Sequence, residues 1–355
     1  MTRKHTIVLV LGFVFASVVL PAQEEKKPYV VTTLTDLAAI AKEVGGDLIE
    51  VEALARGDED PHFVLPKPSL VAKANKADLF VQIGMELEVW AESVLDGAAN
   101  PKIRPGQAGH VYACKGVDVL EKPRVMSRTE GDVHPEGNPH IMLDPLNALT
   151  VAENIANGLK RIAPAHADEF DENLKTFKEK TYRKLYGKTL VKMLGGKVLV
   201  SLDRGGRLMK FLKEKTYKGK KLVEYLGGWH KAMLPHRGKK IVTHHRLWSY
   251  FVHRFGLTIA SELEPKPGIP PSAAHLLEVV KVMKKEDVSL ILVAPYYSRK
   301  AADLVATKTG ADVVVCPTAV GGGKGVDDYF SLLDTIVERT TKAWEATEKG
   351  GAEGE

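Results

Sequence analysis

Three histidine-bearing stretches have the residue types to hold a metal ion. The first is Gly57-Asp58-Glu59-Asp60-Pro61-His62-Phe63, followed by Pro66-Lys67-Pro68-Ser69. The second is Asn138-Pro139-His140-Ile141-Met142-Leu143-Asp144-Pro145. The third is Thr243-His244-His245-Arg246-Leu247-Trp248-Ser249-Tyr250-Phe251. Imidazole is a borderline donor suited to zinc and its transition-metal neighbours. His62 and His140 lie 78 residues apart, and His140 and His245 lie 105 apart, so no two share a short helical motif. They meet only if the tertiary fold brings them together. Zinc held by nitrogen and oxygen prefers four ligands. Asp327 or Asp328, in Gly325-Val326-Asp327-Asp328-Tyr329-Phe330, could supply the fourth.

The composition narrows the alternatives. Twelve histidines stand against two cysteines in 355 residues, which excludes a disulfide scaffold, a thiolate zinc finger and a four-thiolate iron–sulfur cluster. Cys114 and Cys316 are expected as two buried thiols. Apolar residues make up 44% and charged residues 27%, a globular balance with length enough for two domains. A formal charge of +5 without a basic stripe gives no case for a nucleic-acid partner.

The elements that must position these histidines follow from hydrophobic patterning. Apolar runs at Tyr29–Thr33, Leu48–Ala53, Leu79–Ile83, Val198–Leu202, Ile241–Thr243, Leu290–Val293 and Val313–Val315 read as buried strands. Helical segments at Leu34–Val44, Pro68–Asn75, Leu87–Leu95, Ala273–Lys284 and Arg299–Thr309 alternate with them, which builds parallel sheets with flanking helices. The predicted fold is α/β: two lobes, each a parallel sheet with flanking helices, joined by a long rigid connector helix. In such sheets ligands bind beyond the carboxyl ends of the strands, where the histidine loops lie. Asp144-Pro145 is an N-cap and a first-turn proline for a helix over Leu146–Arg161, and a charged helix follows from His166 to Tyr186.

The expected organisation is a signal peptide over 1–22, an N-terminal metal-binding lobe over 28–164, the connector over 165–186, an extra segment of unknown role over 187–239, and a C-terminal metal-binding lobe over 240–346. The signal reading rests on Arg3 and Lys4, the apolar run Ile7–Leu20, and the Pro21-Ala22 junction. Fourteen apolar residues are short for a membrane span. With no cysteine near the junction, a lipid anchor is not expected, and the mature chain is expected in the periplasm. The segment 187–239 holds three Gly-Gly pairs and is rich in lysine, whose runs, such as Lys218–Lys221, read as solvated faces.

These patterns resemble those of the zinc- and manganese-specific substrate-binding proteins of metal ABC transporters. The family's first loop reads roughly G-x-D-P-H-x-F-x-P-x-P-S, and Gly57, Asp60, Pro61, His62, Pro66, Pro68 and Ser69 match with small shifts. Its second reads H-x-W-L-D-P, and His140, Leu143, Asp144 and Pro145 match, with Met142 for the Trp. Its third reads H-x-A-F-x-Y-F, and His245, Tyr250 and Phe251 match. The resemblance implies His62, His140 and His245 as ligands. It implies Asp327, two residues before Tyr329, as the fourth. It further implies a membrane permease as partner, and a monomer is the expected state. Manganese-carrying members commonly have a carboxylate where His245 stands, so Zn(II) is the expected cargo, with Mn(II) as the alternative. Two features depart from the family: the extra residues within 187–240, and the lack of a long His- and acid-rich loop, of which only Asp132-Val133-His134-Pro135-Glu136 is similar.

A strand can turn only one of His244 and His245 toward a given face, and the aromatic spacing selects His245. Asp327 competes with a role as a helix cap, and Asp144 is expected to cap its helix. His134 reads as a surface residue that picks up metal transiently at most, and His230 and His236 as a secondary contact at most. The competing class is an exported zinc hydrolase with an open coordination position and Glu59 or Asp58 as base. A surface adhesin is a third class.

Overall fold

The computed structural model describes residues 26–123, 134–266 and 268–352. The expected signal segment lies outside the described residues.

The N-terminal sheet is built from β1 (Tyr29–Thr32), β2 (Glu50–Ala53), β3 (Leu79–Gln82) and β4 (His110–Tyr112). Its strand order is β2-β1-β3-β4, all parallel. Helices α1 (Thr35–Gly45), α2 (Pro68–Lys76), α3 (Trp90–Ala98) and α4 (Pro145–Ile162) accompany it. Burial follows position in the sheet. Every residue of central β3 is buried, whereas edge strand β2 alternates exposed and half-buried. A strand covered on both faces reads as a continuous apolar run, which is how Leu79-Phe80-Val81 was legible.

Helix α5 (Ala167–Tyr186) leaves this lobe. Its 20 residues span about 30 Å. Its buried stripe, Phe170, Leu174, Phe177, Thr181, Tyr182 and Leu185, keeps helical spacing. The helix packs on α1 and α4, and further along on α9 (Gly228–Met233). Between them run α6 (Lys188–Leu194), α7 (Gly196–Arg204), α8 (Leu208–Glu214) and a hairpin of β5 (Thr216–Tyr217) and β6 (Lys220–Lys221).

The C-terminal sheet holds β7 (Lys240–Thr243), β8 (Thr258–Glu262), β9 (Leu290–Val293) and β10 (Asp312–Val315) in the order β10-β9-β7-β8, again all parallel. Helices α10 (Ser249–Phe255), α11 (Ala273–Glu286) and α12 (Lys300–Thr309) connect its strands. Helix α13 (Tyr329–Ala352) closes the chain and packs on β10, α9 and α1. One core runs from Val30 to Trp344 through both lobes, and a second covers the outer face of the C-terminal sheet around Val242, Ile291 and Val305.

One expected strand is a helix. Val198–Leu202 lies inside α7, with Val198 52% exposed and Leu199 buried. A five-residue apolar run does not distinguish strand from helix, and the glycine pairs on either side leave room for two helical turns. Gly196 fits where it does because a Cβ there would meet the Tyr182 ring at 1.9 Å. Strands β4 and β8 carried no sequence signal: three residues in one, a polar edge in the other.

Candidate metal centre

His62 sits on the loop that leaves the carboxyl end of β2. His140 precedes a short 3-10 turn, Ile141–Leu143, that leads into α4. His245 follows the carboxyl end of β7. The fold brings the three together. One ligand nitrogen from each lies within 4.8 Å of the others, and the ring centroids stand 5.1, 5.8 and 5.8 Å apart. Zinc with Zn–N near 2.0–2.1 Å sets adjacent ligand nitrogens roughly 3.3 Å apart, a separation that falls inside this limit.

Each ring is held differently. His62 Nδ1 stands 2.8 Å from Asp60 Oδ1, which also accepts from the His62 backbone N–H at 3.0 Å. Burial pushes the Asp60 carboxyl up, but hydrogen bonds and charge from His62, with His245 behind, hold it below the ordinary carboxylate range. An ionised carboxylate only accepts, so His62 carries a proton on Nδ1, which leaves Nε2 as the atom available to a metal. His245 Nδ1 makes the same contact with Glu264 Oε2 at 2.7 Å. Metal-binding histidines characteristically carry such a carboxylate on the far nitrogen.

His140 has no carboxylate. Burial, with the charge of His62, His245 and His134, holds it well below the ordinary imidazole range, so it is neutral. Its Nε2 is buried without a hydrogen-bond partner among the described residues. Leaving a buried polar atom unpaired costs about 1–3 kcal/mol, and such an atom calls for an explanation.

The loop carrying His140 is fixed from the other lobe. Asn138 Oδ1 accepts the His140 N–H at 3.0 Å, and Asn138 Nδ2 donates to the Arg246 carbonyl at 2.8 Å. Tyr250 Oη donates to the Asn138 carbonyl at 2.7 Å, and Tyr329 Oη to the Met142 carbonyl at 2.7 Å. Asp144 caps α4 by accepting from Leu146 N–H at 2.9 Å. Arg254 holds that carboxylate with two bonds of 2.8 Å. Arg254 also reaches Asp203 of α7 at 2.9 Å, and Asp203 accepts from His230 at 2.8 Å and Tyr186 at 3.0 Å.

Asp327 is not brought to the histidines. It is exposed, and its N–H donates to Ser331 Oγ at 3.0 Å. Its neighbour Asp328 caps α13, accepting from Ser331 N–H at 2.7 Å. His134 is brought close instead, its Nε2 lying 3.3 Å from His62 Nε2. Two ring nitrogens facing at that distance share either a proton or a cation. His244 is outside the cluster and stacks on Tyr297, centroids 4.3 Å apart, with its Nε2 3.8 Å from Glu264 Oε1. His230 is committed to Asp203, and His236 stacks on Trp344 at 4.8 Å. Cys114 and Cys316 are free thiols. Glu264 and Asn138 had no signal in the sequence; both are recognisable only by their partners across the fold.

Beside the cluster is a cavity of about 50 Å³, lined by Asp36, Pro61, His140, Leu247, Tyr296 and Thr318. That admits a few waters and no organic substrate. Glu59 and Asp58 are used locally: Glu59 accepts from Arg56 N–H at 2.7 Å, and Asp58 pairs with the Arg56 guanidinium at 2.9 Å.

The chain matches the family model described as "Zinc-uptake complex component A periplasmic", ZnuA, over residues 30–185 and 220–343. It is 25% identical over 324 residues to the zinc-binding lipoprotein AdcA of Streptococcus pneumoniae strain R6, covering 91% of this chain but 53% of that protein. It therefore spans about half the length of that relative. The iron-binding protein YfeA of Yersinia pestis is 26% identical over 333 residues, covering 91% of this chain and 88% of YfeA. Among solved structures, a crystal structure of ZnuA superposes with a TM-score of 0.65 at 21% identity, covering 90% of this chain and 99% of that one. A manganese-bound periplasmic metal-binding protein from Candidatus Liberibacter asiaticus gives 0.62 at 19% identity, covering 89% and 99%. Both share the two-lobe α/β fold. No helix among the described residues is long and apolar enough to cross a membrane.

Proposed function

The chain belongs to the ZnuA family of metal-binding transport proteins, which are not enzymes, and we propose that it captures Zn(II) between its lobes in the periplasm and hands the ion to the permease of an ABC transporter. The ligands are His62 and His140 from the N-terminal lobe and His245 from the C-terminal lobe. The observation that carries this reading is the buried Nε2 of His140, without a hydrogen-bond partner among the described residues, beside two imidazoles whose far nitrogens are each held by a carboxylate. His134 is the fourth donor, in preference to Asp327.

A shell dominated by imidazole favours zinc over manganese, which prefers oxygen and stands lower in the affinity order for a given nitrogen site. Iron(II) falls between them, so the name of YfeA does not redirect the reading. Capture requires neutral imidazoles and therefore competes with protons. Affinity therefore falls as the pH is lowered.

The test is a competitive chelator titration of the purified protein and of His62→Ala, His140→Ala and His245→Ala. Each substitution lowers zinc affinity by a factor on the order of a hundred or more, in the range seen for loss of metal-site groups. Wild-type affinity in all three variants would refute the assignment.

A further inference from the structure

We propose that residues 187–221 form a cationic face that docks this protein onto an anionic phospholipid surface. The proposal is independent of the metal assignment. The segment holds nine lysines and two arginines against Asp203 and Glu214, a formal +9. The whole chain carries +5, so everything outside the segment sums to −4. The family model leaves residues 186–219 unmatched, so most of this charge lies outside the part that the model describes.

The charge is presented outward. All eleven cations are exposed. Asp203 is turned inward, spent on Arg254 and His230. Among the described residues, the only ion pair made by a lysine of the segment is Lys210 with Glu214, at 4.0 Å. A compact body of 35 residues has a radius of gyration of about 8–9 Å, close to the Debye length of about 8 Å at physiological salt. The positive charges therefore act as one field and repel one another. The hairpin tip carries this furthest. Lys218 takes φ +49 ahead of Gly219 at +77, a position that favours Asn or Gly over a long side chain.

The residue types indicate the partner. Lysine outnumbers arginine nine to two, and Arg204 is already engaged by the Leu146 carbonyl and Thr150. Folded protein partners favour arginine, with its fixed fork, and their interfaces are depleted in lysine. Lysine is a point charge on a flexible stem, matched to a fluid array of phosphate headgroups. Tyr217 at the hairpin is 47% exposed, and Val198 on α7 is 52% exposed. An aromatic with a polar tip among lysines is suited to the water–lipid boundary.

The experiment is co-sedimentation of the full mature chain with phosphatidylcholine vesicles, with and without phosphatidylglycerol, at low and high salt. The expected result is binding only to the phosphatidylglycerol vesicles, weakening steeply with salt. Each lysine brought to an anionic surface is worth about a fivefold gain in partition. The variant Lys215→Gln/Lys218→Gln/Lys220→Gln/Lys221→Gln is then expected to lose on the order of a hundredfold or more, with its zinc titration and thermal melt unchanged. Tyr217→Ser, a milder change, is expected to lose several-fold. Absence of binding to the anionic vesicles, or binding indifferent to salt and to the lysines, would overturn the proposal. Binding to poly-glutamate but not to vesicles would overturn it too, in favour of an acidic polypeptide partner.

Discussion

Asp60 behind His62 and Glu264 behind His245 fix the tautomer and orientation of each ring. His140 is aimed without such a partner, by its backbone bond to Asn138 and by burial. The fourth position separates two candidates by geometry. His134 Nε2 is 3.3 Å from His62 Nε2, while Asp327 faces solvent beside the capped start of α13. His134→Ala is therefore expected to weaken zinc binding about tenfold or more, whereas Asp327→Ala leaves it unchanged, as read by chelator competition. The reverse ranking would return Asp327 to the site. The three histidines were legible because prolines and strand ends mark their loops. What stands beside them was not, because spacing before an aromatic does not tell whether an aspartate will face the cluster or the solvent. A histidine on a polar loop has no local feature that predicts where the loop lands.

Burial patterns explain which elements could be read in advance. Central strands such as β3 and β9 are buried throughout and stood out as apolar runs, while the edge strands β4 and β8 are short or partly polar. Helix α7 was misread for the converse reason, since its apolar run faces α5 on one side only. Its place in the molecule is set by a buried charge network. Arg254 of α10 bridges Asp203 of α7 and Asp144 at the head of α4, with His230 of α9 on the far side. Two helices of residues 187–239 are thereby tied to the cap behind the His140 loop. Removing the shared guanidinium takes the ion pair from buried Asp144 and leaves Asp203 with only His230 and Tyr186. Arg254→Met is expected to cost roughly 3–5 kcal/mol in urea unfolding, and adding Asp203→Asn to recover part of it. A loss below about 1 kcal/mol would show that the network is not held as described.

The lobes share more than a connector. Asn138 and Met142 of the first accept or donate bonds to Arg246, Tyr250 and Tyr329 of the second. Gly57 lies so close to the Val320 carbonyl that a Cβ would approach it to 1.9 Å. With α5 packed along its length, wide hinge closure is disfavoured, and under the proposed function the ion is expected to exchange through movement of the histidine loops or a small tilt. X-ray absorption at the zinc edge on the protein loaded with one equivalent reads the first shell of the ion held between these lobes. At least three imidazole nitrogens at about 2.0–2.1 Å are expected, with the signal lost in His140→Ala. A shell of oxygen or sulfur, or an unchanged spectrum in that variant, would contradict a metal centre built from His62, His140 and His245.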